Sequence, residues 1–597
     1  MSFGSLARAQ SLTFSQDIAP IVFDACTPCH RPGGPGPFSL TSYREVRQRA
    51  TQIARVTQSR FMPPWKVEPG VGHFVGQRVL TTGELDTIDR WVRDDAPEGD
   101  PSLLPPLPKW PEGWLLGSPD LIVTTPPYTL ASQATDAFRI FAIRLPVTQR
   151  SYVRGIEFHP GNARVVHHAN IRIDRSGETR ALDDADPLPG YDGLMPRSAE
   201  YPDGHFLGWT PGQIAPLVSP DLAWTLEPGS DLVVQLHLQP SGATEEVRPQ
   251  IGFFFGDRPP TRTPTILRLG SQGIEIAPGD ASYSIHDSYT LPVDVDVLAI
   301  QPHAHYRARD IRGTATLPDL TTRVLMHIKD WDFRWQHVYR EVEPIRLPKG
   351  TRLSMDYTYD NSAGNVRNPQ LPPAQVFWGQ RSRDEMGDLW FQLLAHTDLD
   401  RAALNAQIAR KMTSEDVIGY ETMLRADPKD VELHNDVAVL YLSLGQPSSA
   451  IRHFQATVDL DPASASAHFN LGTALTTAGR LAEGAAEFRA ALGRRPDYAA
   501  AHNNLGRVLL VHGQTADALD HLEQAVRLDP KNLSAFFNLS EAYIATSEYD
   551  RAIDALDRAL RLSPPEPLAT QLRERRQKLI KRRPPEKRGL SRFEGTR

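Results

Sequence analysis

Hydrophobic and polar positions divide the chain into three parts with different spacing. In the first hundred residues apolar side chains recur at helical intervals, as in Leu85, Ile88 and Trp91. Between residues 119 and 400, apolar and polar residues alternate in short runs that Gly, Pro and Asp clusters separate. Beyond residue 413, helical spacing returns and repeats at a fixed interval. The pattern therefore predicts a multidomain protein with a small α-helical domain, a long antiparallel β-region and a helical array.

The β-region is long enough for two domains. Alternation is clearest in residues 153–158 and 232–236, and turn residues separate runs of this kind over the whole region. A region of about 280 residues with this character favours two antiparallel β-sandwiches. The Pro-Pro pair that begins at Pro259 suggests the boundary, so we expect β-domains at residues 119–258 and 259–400.

A period of 34 residues runs through the last part of the chain. Its most regular markers are prolines, at Pro428, Pro462, Pro496, Pro530 and Pro564. The period resembles that of tetratricopeptide repeats, which form an α-solenoid, and about four repeats fit within residues 413–570. Such arrays present a concave groove. The resemblance therefore implies a protein partner in that groove, or an array that packs against the rest of the chain.

Two further segments lie outside these domains. Residues 99–118 are rich in proline and predict a stiff, extended linker. Residues 571–597 carry 11 Lys and Arg against three Glu and form a basic tail. The simplest interpretation of that tail is a solvated helix end.

The only two cysteines of the chain, Cys26 and Cys29, are followed directly by His30. This is the attachment pattern of haem c, in which each thiol adds to a vinyl group and the imidazole reaches the iron. A redox CxxC pair needs a βαβ setting, and a zinc site needs two further Cys or His ligands nearby. Neither is evident here. Residues 12–98 resemble a class I-like cytochrome c domain, which implies a covalently bound haem c.

The sixth ligand of that iron should be a soft side chain downstream. Met62 precedes two prolines, which hold an extended segment suited to a ligand loop, and His73 is the competing candidate. Haem attachment in cytochromes c takes place outside the cytoplasm, so the resemblance implies a periplasmic or otherwise exported protein. Residues 7–9 are similar to the end of a signal peptide that lacks its apolar part, so we expect the true start to lie upstream.

Composition limits the range of partners. The formal net charge of -7 over 597 residues gives no reason to expect nucleic acid. No run of 18 apolar residues occurs, so the sequence predicts no transmembrane segment. With both cysteines in one motif, disulfides elsewhere are excluded.

Histidines in the β-region carry the candidate chemistry. His167 and His168 are adjacent, so they reach one metal only at a bulge or a strand end, whereas His303 and His305 share one strand face. His237 lies on a third predicted strand. A single strand histidine usually has a structural role, and we assign that role to His159, His205, His286, His327 and His337.

The order of these motifs, with Met386 after them, resembles the copper type II, ascorbate-dependent monooxygenases. This is the family of peptidylglycine α-hydroxylating monooxygenase and dopamine β-monooxygenase. The resemblance implies two jelly-roll-like domains with one copper on each. In this sequence the first copper would be held by His167, His168 and His237, and the second by His303, His305 and Met386.

The ligand chemistry agrees with this assignment. Imidazole suits copper, and a thioether favours Cu(I). The second site, with His303, His305 and Met386, would therefore be the catalytic one, while the first would store the second electron. The sequence also departs from the family. Gln301 stands where the peptide hydroxylases have a substrate-binding arginine, so a glycine-extended peptide is not the expected substrate.

We therefore expect a copper-dependent monooxygenase, an oxidoreductase that hydroxylates a C–H bond of an unidentified small-molecule or peptide substrate with O2. Electrons would come from an external donor, such as ascorbate or a cytochrome, and reach the two coppers through the haem; we expect the first copper to receive them. Two alternatives stay open. One is a haem and copper carrier or sensor without turnover, and the other is a zinc hydrolase, against which the Met386 thioether argues.

Overall fold

The computed structural model describes residues 11–34, 36–110, 113–133, 137–193, 195–196, 198–213, 216–379 and 381–582. The chain separates into two compact units, residues 1–412 and 413–597. Among the described residues, no helix combines the length and the apolar character that crossing a membrane requires.

The chain begins with a small helical region that has its own core. After a π-helical turn at Phe14–Ile18, the helices are α1 (Ala19–Ala25), α2 (Tyr43–Gln48), α3 (Ala50–Gln58) and α4 (Thr82–Arg93). In α4 the predicted helical spacing is present, because Leu85, Ile88 and Trp91 are all buried. Trp91 is fully buried, and its indole N–H donates to the carbonyl of Pro97. Burial of a side chain of this size contributes roughly 1.5–3 kcal/mol.

The first half of the β-region consists of antiparallel sheets around one core. Its strands are β1 (Leu121–Thr124), β2 (Tyr128–Leu130), β3 (Ala137–Arg144), β4 (Ser151–His159), β5 (Val166–Asp174), β6 (Ala199–Glu200), β7 (Gly208–Trp209), β8 (Trp224–Leu226), β9 (Asp231–Leu238), β10 (Glu245–Val247) and β11 (Gln250–Gly256), with the helix α5 (Glu178–Ala185) after β5. One sheet has the order β1-β11-β4-β8 and the other β3-β9-β5-β6, with β7 also paired to β5. Most buried apolar residues of these sheets form one main cluster, and Ile140, Tyr191, Ala199 and Val233 form a small second one.

The second half repeats this arrangement with its own sheets. Its strands are β12 (Thr265–Gly270), β13 (Glu275–Ile276), β14 (Tyr283–Thr290), β15 (Val295–Ala304), β16 (Ala308–Thr316), β17 (Thr322–Ile328), β18 (Tyr339–Leu347), β19 (Arg352–Tyr359), β20 (Val376–Phe377) and β21 (Gly387–Ala395). The sheets β12-β21-β15-β18 and β14-β19-β16-β17 enclose a second core. The central region is thus β-rich, with curled antiparallel sheets, as the alternation predicted.

The helical region is joined to the second group of sheets along one strand edge. Phe74 pairs with Glu341 of β18 as an isolated antiparallel bridge, and Val342 donates its backbone N–H to the carbonyl of His73. Phe74 is buried in the second β-core beside Tyr339, with ring centroids 5.4 Å apart. The edge of β18 is therefore covered by the segment that follows the first helices, which protects its backbone groups from other strands.

Glu341 is buried at this junction, and the stability of the unit should depend on its charge. Burial raises the pKa of Glu341 to about 7, although Arg323 and the backbone of His73 oppose the shift. A carboxyl whose pKa is raised by folding stabilises the protein below its usual pKa, and this contribution disappears as pH rises to about 7. The Glu341→Gln variant should therefore be more stable than the parent at pH 8, by at most about 3 kcal/mol, and nearly equal to it at pH 4.5.

Thermal unfolding followed by circular dichroism between pH 4.5 and 8 measures this effect. The control is Glu343→Gln, because Glu343 lies two residues along the same strand and is exposed. That variant should follow the parent at every pH. If Glu341→Gln also runs parallel to the parent across the range, the buried carboxyl is not the origin of the pH dependence.

The last part of the chain is a helical solenoid. The helix α6 (Asp398–Ala426) leads into it. Four helix pairs follow, α7 (Val431–Ser443) with α8 (Pro447–Leu460), α9 (Ala465–Thr477) with α10 (Leu481–Arg494), α11 (Ala499–Val511) with α12 (Thr515–Leu528), and α13 (Leu533–Ala545) with α14 (Tyr549–Arg561), and α15 (Glu566–Arg582) comes last. Each of the five periodic prolines lies two or three residues before a helix, so the predicted period corresponds to one helix pair.

Small residues in phase with this period allow the helices of a pair to pack closely. A Cβ at Gly472 would lie 2.8 Å from the ring of Phe488, and one at Gly506 would lie 2.6 Å from Leu522. Both partners belong to the second helix of the same repeat. The Leu-Gly pairs of the sequence therefore mark helix contacts, and not turns.

Candidate metal centre

His167, His168 and His237 meet at a bulge in the first group of sheets. In the pairing of β5 with β9, Val166 is opposite Leu238 and His168 is opposite His237, so one extra residue lies at His167. This irregularity turns two adjacent side chains toward one place, as the sequence required for a shared metal. The ligand atoms of the three imidazoles all lie within 4.8 Å of one another, a spacing that can hold a metal ion.

Two histidines of this cluster are set up for metal binding by their surroundings. His237 is fully buried, and the ring of Phe138 from β3 stacks on it with centroids 4.5 Å apart. Burial, and then the neighbouring imidazoles, hold the pKa of His168 well below its usual value. A neutral imidazole offers a nitrogen lone pair, so His168 can bind a cation without first losing a proton.

His303 and His305 occupy the end of β15 and are oriented by hydrogen bonds to oxygen. Nδ1 of His303 contacts Oε1 of Gln336, and Nδ1 of His305 lies 3.1 Å from the carbonyl of Asp384. An acceptor on one ring nitrogen fixes the tautomer and leaves Nε2 for a metal. Burial lowers the pKa of His305 to about 3, with His303 as the next cause, so this imidazole is also neutral.

The strand register brings Met386 to this pair. On β21, Asp388 is opposite His303 and Gly387 is opposite Ala304, and His305 contacts Asp384 and Glu385, so Met386 lies in the chain segment that runs beside both histidines. The backbone of Met386 is fixed on both sides, because Tyr359 donates its hydroxyl to the Met386 carbonyl at 3.0 Å and the Met386 N–H donates to Glu385. His303, His305 and Met386 are thus neighbours across two strands, although they are some 80 residues apart in sequence.

Two residues beside Met386 hold this geometry. Glu385 is fully buried and accepts the backbone N–H groups of His305, Arg307 and Met386, which ties the two strand ends together. Gly387 has no room for a side chain, since a Cβ there would overlap the hydroxyl of Tyr359. Any larger residue at position 387 would displace the adjacent Met386.

One aromatic ring, that of Phe333, contacts histidines of both candidate metal sites. Phe333 is almost fully buried, and its centroid lies 5.5 Å from that of His237 and 5.4 Å from that of His305. His167 and His168 are within 6.4 Å of the same ring. Four of the five imidazoles that the sequence predicted as ligands, His167, His168, His237 and His305, therefore converge on Phe333 from both β-domains, and His303 lies beside His305.

The cysteine motif directly follows α1 in the helical region. Cys26 packs against the core there, and burial raises the pKa of its thiol to about 12. His30 places Nδ1 3.1 Å from the carbonyl of Phe38, which leaves its Nε2 for an iron atom. This donor set, two thiols and one oriented imidazole within five residues, fits a haem c.

Cys29 and Met62 line two adjoining cavities. The larger, of about 270 Å³, contains Cys29, Gly212 and His337, and thus lies between the helical region and both β-domains. The smaller, of about 100 Å³, contains Met62. Trp65 and Arg78 line both, and Arg78 donates to the Cys29 sulfur at 3.3 Å. Met62 is half-buried, whereas the competing His73 is exposed.

The histidines that we expected to be structural each have a protein partner. These contacts are His159 with Glu157, His205 with the carbonyl of Leu222, His286 with Asp356, His327 with Asp310, and His337 with Thr210. Gln301, at the position of the family arginine, is paired with Trp390 on β21. Asp388 and Arg268 lie 3.9 Å apart as a buried ion pair.

Sequence reasoning missed Phe333 and Gln336. Both lie in the connection between β17 and β18, which carries no alternation and no recognisable motif. The aromatic and amide residues near His337 were the available signal, but nothing in the sequence linked them to histidines 28 or more residues away.

Comparisons with known proteins bear on the solenoid. A model of the tetratricopeptide repeat family matches residues 435–499 and 503–567. The chain is similar to the crystal structure of MamA, with 24% identity over 27% of this chain and 93% of that one and a TM-score of 0.25. It is also similar to YrrB, a tetratricopeptide-repeat protein with an unusual peptide-binding site, with 18% identity over 28% and 88% and a TM-score of 0.25.

A third similar structure is that of pilF from Pseudomonas aeruginosa, with 21% identity over 30% of this chain and 80% of that one and a TM-score of 0.27. A comparison with curated proteins gives no match. The C-terminal part of the chain is a tetratricopeptide-repeat solenoid, as its period predicted.

Proposed function

We propose that the protein is a copper-dependent monooxygenase that receives electrons through a covalently bound haem c. The observation that carries this proposal is the convergence of four imidazoles from both β-domains on Phe333, with His303 and the chain segment of Met386 beside them. Two ligand sets of different softness, side by side, suit a reaction that needs two electrons. The resemblance to the copper type II monooxygenases supports the same assignment.

In this proposal His167, His168 and His237 hold one copper, and His303, His305 and Met386 hold the other. The bound coppers supply one-electron redox chemistry and dioxygen activation at the site with the thioether, which favours Cu(I). The chain itself supplies position and environment. Gln336 and the carbonyl of Asp384 orient the second pair of imidazoles, and burial keeps the histidines neutral.

The thiols of Cys26 and Cys29 would hold the haem covalently, and His30 and Met62 would supply the side chains that bind its iron. The carbonyl of Phe38 orients His30, which makes its imidazole a stronger donor. Cys29 lines the cavity that residues of both β-domains also line, so a haem held by its thiol would be attached beside these domains. Haem attachment implies export, and an external reductant would supply the electrons.

The solenoid would bind a protein partner in its groove and contribute no metal ligand. The alternative for the whole protein is a haem and copper carrier or sensor without turnover. The burial of Phe333 among the imidazoles favours this second candidate, because the ring fills space that a substrate would need. A zinc hydrolase is the weakest alternative, since zinc has no preference for the thioether of Met386.

A single-turnover experiment on the full-length protein separates these functions. Metal and haem analysis should first give two coppers and one covalent haem per chain. The protein is then reduced without oxygen and mixed with ¹⁸O₂ and a panel of organic substrates with accessible C–H bonds. Labelled product supports the monooxygenase, and rapid reoxidation without labelled product supports the carrier. Zinc in place of copper would overturn both.

The axial ligand makes a separate prediction. Replacing Met62 by alanine should lower the haem reduction potential, on the order of 0.1 V within the range of about 0.8 V that axial ligands span. It should also let cyanide or imidazole bind the iron. Potentiometry and visible spectra measure both effects.

The matched control is His73→Ala, which should leave the potential and the spectrum unchanged. The reverse result, with a shift in His73→Ala and none in Met62→Ala, would assign the sixth position to His73.

A further inference from the structure

The connection between β17 and β18 touches every candidate redox site of the protein. It runs from Lys329 to Val338, between two strands of different sheets. In the middle of the connection, Arg334 lies over the ring of Phe61, the neighbour of Met62, at 5.9 Å. Asp330 lies 3.9 Å from the buried Lys66 of the helical region. We call residues 329–338 the junction segment.

The junction segment contacts the candidate catalytic copper site through a side chain. Gln336 is buried, and its Oε1 contacts Nδ1 of His303, while its amide donates to the carbonyl of Phe333 at 3.0 Å. The amide is thus fixed at both ends, with its oxygen on a copper-ligand imidazole. Outer contacts of this kind set the orientation and the electronic character of a ligand.

The next residue of the same segment faces the haem motif. His337 lines the cavity that contains Cys29, and its Nδ1 is 2.8 Å from the hydroxyl of Thr210. Burial lowers the pKa of His337 to about 4, and the charge of Arg78 adds to this. A neutral, half-buried ring therefore lines the same cavity as Cys29, whose thiol would hold the haem.

The route from this cavity to the two copper sites differs in length. From His337 to His303 it consists of one peptide link and the side chain of Gln336, whose Oε1 accepts a hydrogen bond from Nδ1 of His303. The route to His168 is longer. It passes through the hydrogen bond to Thr210, a peptide link to Trp209, the strand pairing of Trp209 with Ala169 and a further peptide link.

We infer that His337 and Gln336 form the electron entry of the protein and deliver electrons from the haem edge to the copper held by His303, His305 and Met386. The inference rests on the proposed function. In this step Fe(II) of the haem becomes Fe(III) and Cu(II) becomes Cu(I), with one electron moved and no proton. It differs from the expectation that the copper at His167, His168 and His237 receives electrons first, and it makes Gln336 a positioning residue.

The test uses the full-length protein loaded with haem and copper, without oxygen or substrate. The haem is reduced in a rapid-mixing experiment, and its reoxidation is followed together with the Cu(II) resonance signal of frozen samples. In Gln336→Leu the electron transfer should slow by roughly 10- to 100-fold, as changes to groups that hold a metal ligand commonly do. The Cu(II) spectrum of that site should shift as well, a readout independent of activity.

Two variants control for folding and for the alternative route. Gln336→Glu keeps an acceptor oxygen for His303 and should restore most of the rate. Thr210→Val removes the hydrogen bond between His337 and the first group of sheets but leaves Gln336 in place, so it should slow the rate less than Gln336→Leu does. Metal content, the haem spectrum and the haem potential are measured for every variant.

The outcomes separate this inference from the proposed function. Absence of covalent haem or of copper in the parent protein overturns both. With both groups present, a slow Thr210→Val and an unchanged Gln336→Leu overturn the inference alone and assign entry to the His167, His168 and His237 copper. A persistent Cu(II) signal beside reduced haem in the parent also overturns it.

Discussion

Replacing Met386 by histidine should reduce turnover by at least about 100-fold while copper remains bound, because a ligand change should exceed the usual effect of outer contacts. A thioether is a soft donor that favours Cu(I), the state that must meet dioxygen, whereas a third imidazole hardens the site. Position 386 directly precedes the residues paired with His303 and Ala304, so a histidine there should reach the same metal. Binding and turnover should therefore separate in this variant.

Copper content and the rate of reoxidation by dioxygen measure the two properties. The matched control is Met355→Leu, since Met355 is fully buried in the same β-core away from the candidate ligands. A methionine-to-leucine exchange in a core usually costs less than about 1.5 kcal/mol. Full turnover of Met386→His would show that Met386 is an ordinary core residue.

Replacing His237 by alanine should have the second large effect. This change should lower the copper content of the protein, whereas the change at Met386 alters the type of ligand. His237 is fully buried and supplies one of three nitrogens in the cluster with His167 and His168. Two remaining imidazoles hold copper less tightly, so the copper content should fall from about two per chain to about one. Turnover should stop after the electrons of the remaining site are used.

The control for His237→Ala is His205→Ala, which changes another buried histidine. His205 is held by backbone carbonyls, including that of Leu222 at 2.7 Å, and lies outside the cluster. This variant should lose stability but keep both coppers. Loss of copper in His205→Ala, or retention of two coppers in His237→Ala, would contradict the assignment of the first site.

Local patterns in the sequence predicted the parts of the protein that local contacts determine. The 34-residue period gave the helix pairs because each repeat packs mainly on its neighbours, and Gly472 and Gly506 show why the period tolerates only small residues. The alternation predicted a β-rich region because successive side chains of a strand point to opposite faces of its sheet. The adjacency of His167 and His168 required a bulge, and the structure has a bulge at that point.

Contacts between distant segments were beyond the sequence. The pairing of β15 with β21 brings the segment of Met386 beside the strand of His303. The register of this pairing depends on the whole sheet, so the sequence could not predict it. Phe333 and Gln336 lie in a connection whose path follows from the packing of three regions, and their residue types alone indicate no role. The haem, the coppers and the reaction stay proposals that the variants above test.

The copper X-ray absorption spectrum of the fully reduced protein shows whether Met386 binds copper. We expect a Cu–S contribution beside the imidazole nitrogens, because one of two coppers would carry the thioether of Met386. That contribution should vanish in Met386→Leu and persist in Met355→Leu. A spectrum with nitrogen and oxygen neighbours only, or a Cu–S contribution that survives in Met386→Leu, would contradict the account.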